Sequence, residues 1–161
     1  MSVFRSFLFL FILFFSFSSC NKAVNFNNKL VEIQKSVQQE MKDFSIKTQN
    51  KHPESLSAES LKISAEKATG FINDKIKEAE DLLVPKNGGD LKEAIINQLK
   101  FEKEIVEQIG RLSDPQLSAE EKAQIETGFL NSSEKAKVLE EKVRSAQEAF
   151  AKEHEFKLEN K

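Results

Sequence analysis

The chain offers one thiol, Cys20, and two imidazoles, His52 and His154, for polar chemistry. Nucleophilic catalysis needs a nucleophile beside an oriented base. Neither histidine falls in a pattern that would deliver one to Cys20. The run Glu153-His154-Glu155 has the residue types of a metal site, but adjacent residues on a helix point in different directions. No Glu-x-x-His or His-x-x-x-His spacing brings ligands onto one face, as zinc and di-iron helices require. Gly88-Gly89 lacks the lysine and serine of a phosphate-binding loop and reads as a turn. Acids alternate with lysines along "EKAKVLEEKVRSAQEAFAKEHE" (134–155), the pattern of a solvated helix face rather than of a paired acid–base site. The expectation is therefore no catalytic residue, no cofactor and no metal.

What remains is the thiol and its surroundings. Ahead of it, Arg5 and the amino terminus supply positive charge, "FLFLFILFF" (7–15) is an apolar run, and "SFSSC" (16–20) narrows to small residues. A spanning helix needs about 20 apolar residues, and this run is about half as long. The layout is that of a secretory signal peptide. A buried N-terminal core helix is the competing reading, disfavoured because Phe on every face leaves no polar side. Phe17, Ser18, Ser19 and Cys20 resemble the bacterial lipobox, with Phe17 standing where the usual pattern has Leu. An ordinary cysteine near a conventional cleavage site is the alternative. The lipobox resemblance implies a diacylglycerol thioether on Cys20 and cleavage just before it. Each buried methylene of such a chain contributes about 0.8 kcal/mol of membrane binding, so two or three long palmitoyl-type chains would hold the protein durably. The organisation that follows is a leader over 1–19, a lipidated N-terminus and short tether over 20–24, and a helical domain over 25–159.

Composition supports this division. Seven of the 14 Phe lie within the first seventeen residues, and the chain has no Trp or Tyr. The rest is long enough for one domain with one core. The net charge of -2, with Glu interleaving the Lys, gives no basic stripe and no reason to expect nucleic acid. A single cysteine allows no internal disulfide, so packing must hold the fold.

The elements that position these residues are helical throughout. Phe26, Leu30, Ile33, Val37, Met41 and Phe44 recur at steps of three and four, one face of a helix over about 24–49. "NKHPES" (50–55) ends it. Leu61, Ala65, Ala68, Ile72, Ile76, Ala79 and Leu83 form the stripe of a second helix, about 57–84, stopped by Pro85. "PKNGGD" (85–90) is the clearest turn. Asp90, with Glu93 three residues on, predicts a capping box for a third helix, about 91–112, with Leu91, Ile95, Ile105, Ile109 and Leu112 on its apolar face. Ser118 and Glu121 predict another capping box for a fourth, about 119–156, carrying Ile125, Phe129, Ala136, Leu139, Val143, Ala146 and Phe150. The tail "KEHEFKLENK" (152–161) should fray. Four helices with short loops predict an all-α antiparallel four-helix bundle made of two αα-hairpins; an elongated rod of two looser hairpins is the runner-up.

An internal echo pairs "LSAES" (56–60) with "LSAEE" (117–121) and "TGFIN" (69–73) with "TGFLN" (127–131). Duplication of an αα unit and chance are both open. Glycine inside a helix costs about 1 kcal/mol against Ala, so Gly70 and Gly128 should mark close approach of a neighbouring helix, with Phe71 and Phe129 beside it; flanking a ligand groove is the alternative.

The Phe-rich leader, "FSSC", the "NKAVNFNNKLVEIQ" start of the helical body and its Lys/Glu-rich continuation resemble the small helical surface lipoproteins of spirochaetes, in particular the ErpY-like group of leptospires. The resemblance spans most of the chain. It implies a surface antigen of the cell envelope, anchored in the outer membrane by lipid on Cys20. It also implies a non-catalytic role in adhesion or binding, with host or environmental proteins as partners. A periplasm-facing lipoprotein with a structural or assembly role is the other expectation. No residue beyond Cys20 is carried over from the family.

Overall fold

The computed structural model describes residues 3–49 and 57–158, with side chains at 21–48, 57–128 and 132–158. The described residues form four helices: α1 (Val3–Gln49), α2 (Ala58–Asp81), α3 (Gly89–Arg111) and α4 (Ala119–Glu153). No strand occurs among the described residues. α1 continues without a break from residue 3 into the body, since neither Pro nor Gly interrupts residues 3–49. It passes straight through the 20–24 stretch expected as a tether, and Ala23 is fully buried. That stretch is therefore already packed at Ala23.

Contacts between helices fix their direction. Lys29 of α1 pairs with Glu78 near the end of α2 at 3.0 Å. Lys100 of α3 pairs with Glu80 at 3.5 Å, and Ala65 lies against Gly110. Lys135 of α4 pairs with Glu104 at 3.2 Å. Each helix runs against the one before it, and α1, α2 and α3 also meet across the interior. The result is an antiparallel four-helix bundle. α4 packs along α3 and reaches α1 through Phe26–Phe150, with ring centroids 5.7 Å apart, and Asn27–Gln147 at 3.0 Å.

The first helix buries the expected stripe. Phe26, Leu30, Ile33, Val37 and Phe44 are buried and Met41 packs against them. α2 presents Ala65, Ala68 and Ala79 beside Ile72 and Ile76; its small residues let α3 come close. α3 contributes Leu91, Ile95, Leu99 and Val106, and Leu99 and Val106 are core positions that the expected stripe omits. The Ser118–Glu121 capping box forms, with both reciprocal bonds present. The backbone bond from Ser118, followed by its side-chain bond, holds the Glu121 carboxyl below its ordinary range.

Several expectations are corrected. α2 ends at Asp81, three residues early, because Leu82 is extended (ψ 131°) and Pro85 disfavours helical backbone at Val84. Leu82 then turns into the core in place of Leu83, which is 92% exposed. α3 starts at Gly89 with Gly88 as its N-cap and no side-chain capping bond, so Asp90 lies in the first turn and the Asp90–Glu93 box does not form. The Pro85–Gly88 turn closes with a 3.0 Å backbone bond and Asn87 at φ 58°, a conformation that Asn tolerates better than most residues. α4 ends at Glu153, and the tail folds back rather than fraying: Phe156 packs on Phe150 with centroids 5.9 Å apart. Residues 159–161 lie outside the described region.

Gly70 and Gly128 are exposed, and no neighbouring helix approaches either closely. A Cβ at Gly70 would meet nothing within 4 Å, and one at Gly128 only Gln108 Oε1 at 3.7 Å. Close approach falls instead at Gly110, where a Cβ would lie 2.7 Å from that of Ala65. Phe71 is half-buried, with Lys75 5.7 Å from its ring centroid; the Phe129 side chain is outside the described ones.

Candidate functional site

Alternating helix directions put the Cys20 end of α1, the α2–α3 turn and the end of α4 at one pole of the bundle. The backbone is helical through Phe17, Ser18, Ser19 and Cys20, whose side chains are outside the described ones. Ala23, fully buried, is three residues above Cys20, a rise of about 4.5 Å along a helix. One turn higher, the Phe26 ring touches the α2–α3 turn: a Cβ at Gly88 would be 3.0 Å from its edge. The same ring meets Phe150 of α4.

The Glu153-His154-Glu155 run belongs to this pole and works as a clasp. His154 Nε2 lies 2.9 Å from the Lys86 carbonyl, its ring packs at a tilt on Phe150 with centroids 4.5 Å apart, and Asn87 donates to Glu153. Glu155 turns the chain with φ 55°, which lets Phe156 return to the core. Glu153 and His154 thus both engage the α2–α3 turn, at Asn87 and at the Lys86 carbonyl. No group of three potential metal ligands converges among the described residues. His52 lies outside them.

Charges near this pole lock helix to helix. Glu78 accepts from Lys75 at 2.6 Å and Lys29 at 3.0 Å. Those ammonium groups, Lys75 first, hold its carboxyl below the ordinary range, and the bond from Glu78 correspondingly raises Lys29. Lys92, in the first turn of α3, donates to the carbonyls of Glu80 and Leu82 at the end of α2. A helix end leaves such carbonyls without partners; here the next helix supplies one.

A second polar constellation lies inside the bundle, and the sequence reading missed it. Gln34 Nε2 of α1 donates to Gln98 Oε1 at 2.8 Å, and Gln98 Nε2 donates to Glu102 Oε1 at 3.0 Å. Gln98 is buried, and the second Glu102 oxygen is buried with no hydrogen-bond partner among the described residues. Burial pushes the Glu102 carboxyl up to about 7; the Gln98 bond opposes this, and nearby Glu140 adds to it. Leu91, Ile95, Gln98, Glu102 and Val106 follow one another at helical spacing, so a polar pair set into an apolar stripe was the available signal. The constellation can exchange a proton near neutrality.

Comparison with known proteins gives no matching family model, no matching curated protein and no matching solved structure. Among the described residues, no helix is long and apolar enough to cross a membrane.

Proposed function

We propose that the mature chain begins at Cys20, is held to a membrane by lipid on that sulfur, and acts as a non-catalytic binding module of the cell envelope. Its place in this reading is the outer membrane or cell surface, with protein partners from the host or environment. The observation that carries it is the position of Ala23. A chain cut before Cys20 keeps every core residue named above, and its packed body begins about one helical turn from the acylated residue. The cleavage that a lipobox directs would thus separate leader from body without removing a described part of the core.

The opposite pole supports a binding role. From the Lys29–Glu78 pair, Ile46 is seventeen residues along α1 and Ile63 fifteen residues back along α2. Both therefore stand more than about 20 Å away from the anchored end. They are 46% and 58% exposed, and such apolar side chains, held outward, are the kind that protein partners cover.

The test is Cys20→Ser, expressed with its leader and followed by detergent phase separation. The parent should enter the detergent-rich phase and the variant the aqueous phase, with mass spectrometry showing acyl mass on residue 20 of the parent. A variant that stays in the detergent-rich phase after its leader is removed would refute the anchor. Proteinase treatment of intact cells separates surface display, in which the protein is digested, from the periplasm-facing alternative, in which it survives.

A further inference from the structure

We infer that Leu83 and Val84, at the tip of the α2–α3 turn, form a second membrane contact beside the lipid on Cys20, giving the bundle a two-point footing on the bilayer surface. The inference rests on the anchored reading of Cys20 and adds to it a contact made by the folded body itself.

Three observations converge on this tip. Leu83 is 92% and Val84 47% exposed, consecutive in sequence, so the tip carries two adjacent large apolar side chains in water. The backbone holds them there: Leu82 takes the core position, Pro85 blocks continuation of the helix, and Lys92 ties down the Leu82 carbonyl. The tip also belongs to the anchored pole. Gly88 and Pro85 are in the same turn, Gly88 lies against Phe26, and Phe26 is six residues above Cys20, about 9 Å of helix. With Ala23 already inside the packed body, there is no slack segment to hold the turn away from the lipid that carries the anchor.

Charge selects the kind of contact. Lys22 and Lys86 are exposed at this pole, and so are Asp81, Glu153 and Glu155. Neither sign dominates, so attraction to anionic headgroups does not drive the contact. Shallow insertion of two apolar side chains into the headgroup–acyl boundary does, and it should occur on zwitterionic lipid.

The chain has no Trp, so one introduced Trp reports alone. L83W and I63W, at the two poles, are made in the acylated mature protein and reconstituted into phosphatidylcholine vesicles with and without brominated acyl chains. The proposal expects L83W emission to shift to the blue on reconstitution and to lose intensity with the brominated lipid, while I63W does neither. Flotation of the protein with the vesicles, measured on the same samples, reports the anchor separately. If the protein floats and L83W behaves as I63W does, the footing is refuted and the anchor stands. A blue shift without bromine quenching means that protein, such as a second copy, covers the tip, and also refutes the footing. Failure to float refutes the anchor and the footing with it.

Discussion

Replacing Glu102 with Gln keeps the side chain's size and removes its proton equilibrium. The carboxyl titrates at 4.5 in its reference state and at about 7 in the bundle, so the folded chain keeps a proton that the unfolded chain has lost. Where the folded state binds more protons, stability falls as pH rises. Below 4.5 both states are protonated and the stabilisation relative to ionised Glu102 is fully present. Between 4.5 and 7 it is lost at roughly 1.4 kcal/mol per pH unit, and above 7 the loss is complete at about 3 kcal/mol. Urea unfolding followed by helical circular dichroism, from about pH 4 to about pH 8.5, measures this directly. The parent should lose about 3 kcal/mol relative to E102Q over that range. Glu78 and Glu121, whose carboxyls are held low, act in the opposite sense at acid pH; they are present in both proteins and cancel. A constant offset is expected, because the new amide also has an atom without a partner. Parallel curves would refute the assignment of a buried, proton-retaining carboxyl at position 102.

Four further outcomes follow from the packing. G70A should stabilise the bundle by about 0.5–1 kcal/mol, since the new methyl meets nothing, whereas G110A should destabilise it by roughly 1–3 kcal/mol through the contact with Ala65; thermal melts of the two, moving in opposite directions, check both. S118A removes the hydroxyl half of the α4 capping box, leaving the backbone N–H of residue 118 to the Glu121 carboxylate, and should cost about 1 kcal/mol, read from the urea midpoint at neutral pH. F156A should free the tail from Phe150 and speed amide exchange at His154 and Phe156, whose backbone N–H groups bond to Phe150 and Ala151; unchanged protection there would show that the clasp holds without the ring.

The legible part of the fold was the part set by periodicity alone. The α1 stripe from Phe26 to Phe44 needs only helical spacing, and the spacing is clean. The Ser118 box needs only local chemistry. The reading failed where a local rule competed with tertiary demand. Leu83 fits the α2 stripe as well as Leu82 does, but the proximity of Pro85 ends the helix early and reverses which leucine faces inward. Asp90 satisfies the cap pattern, but the turn closes on Gly88 and starts the helix before it. Gly70 invited a packing explanation because its cost had no visible compensation, and the structure supplies none. The clasp of His154 on Lys86 joins positions 68 residues apart and has no sequence signature. Gln98 and Glu102 were visible only as interruptions in an apolar face.

The Lys92 ammonium has a further consequence. Because it binds the carbonyls of Glu80 and Leu82 directly, the connection between α2 and α3 is stiffened by polar bonds made behind it, and its own greasy side chains are not needed for that purpose. A hydrophobic tip held in this way arrives preorganised: it loses little chain freedom when something apolar meets it. Neutralising that one lysine would loosen the tip without altering a single apolar atom on it, so the stiffness and the greasiness of this corner of the molecule are separately adjustable.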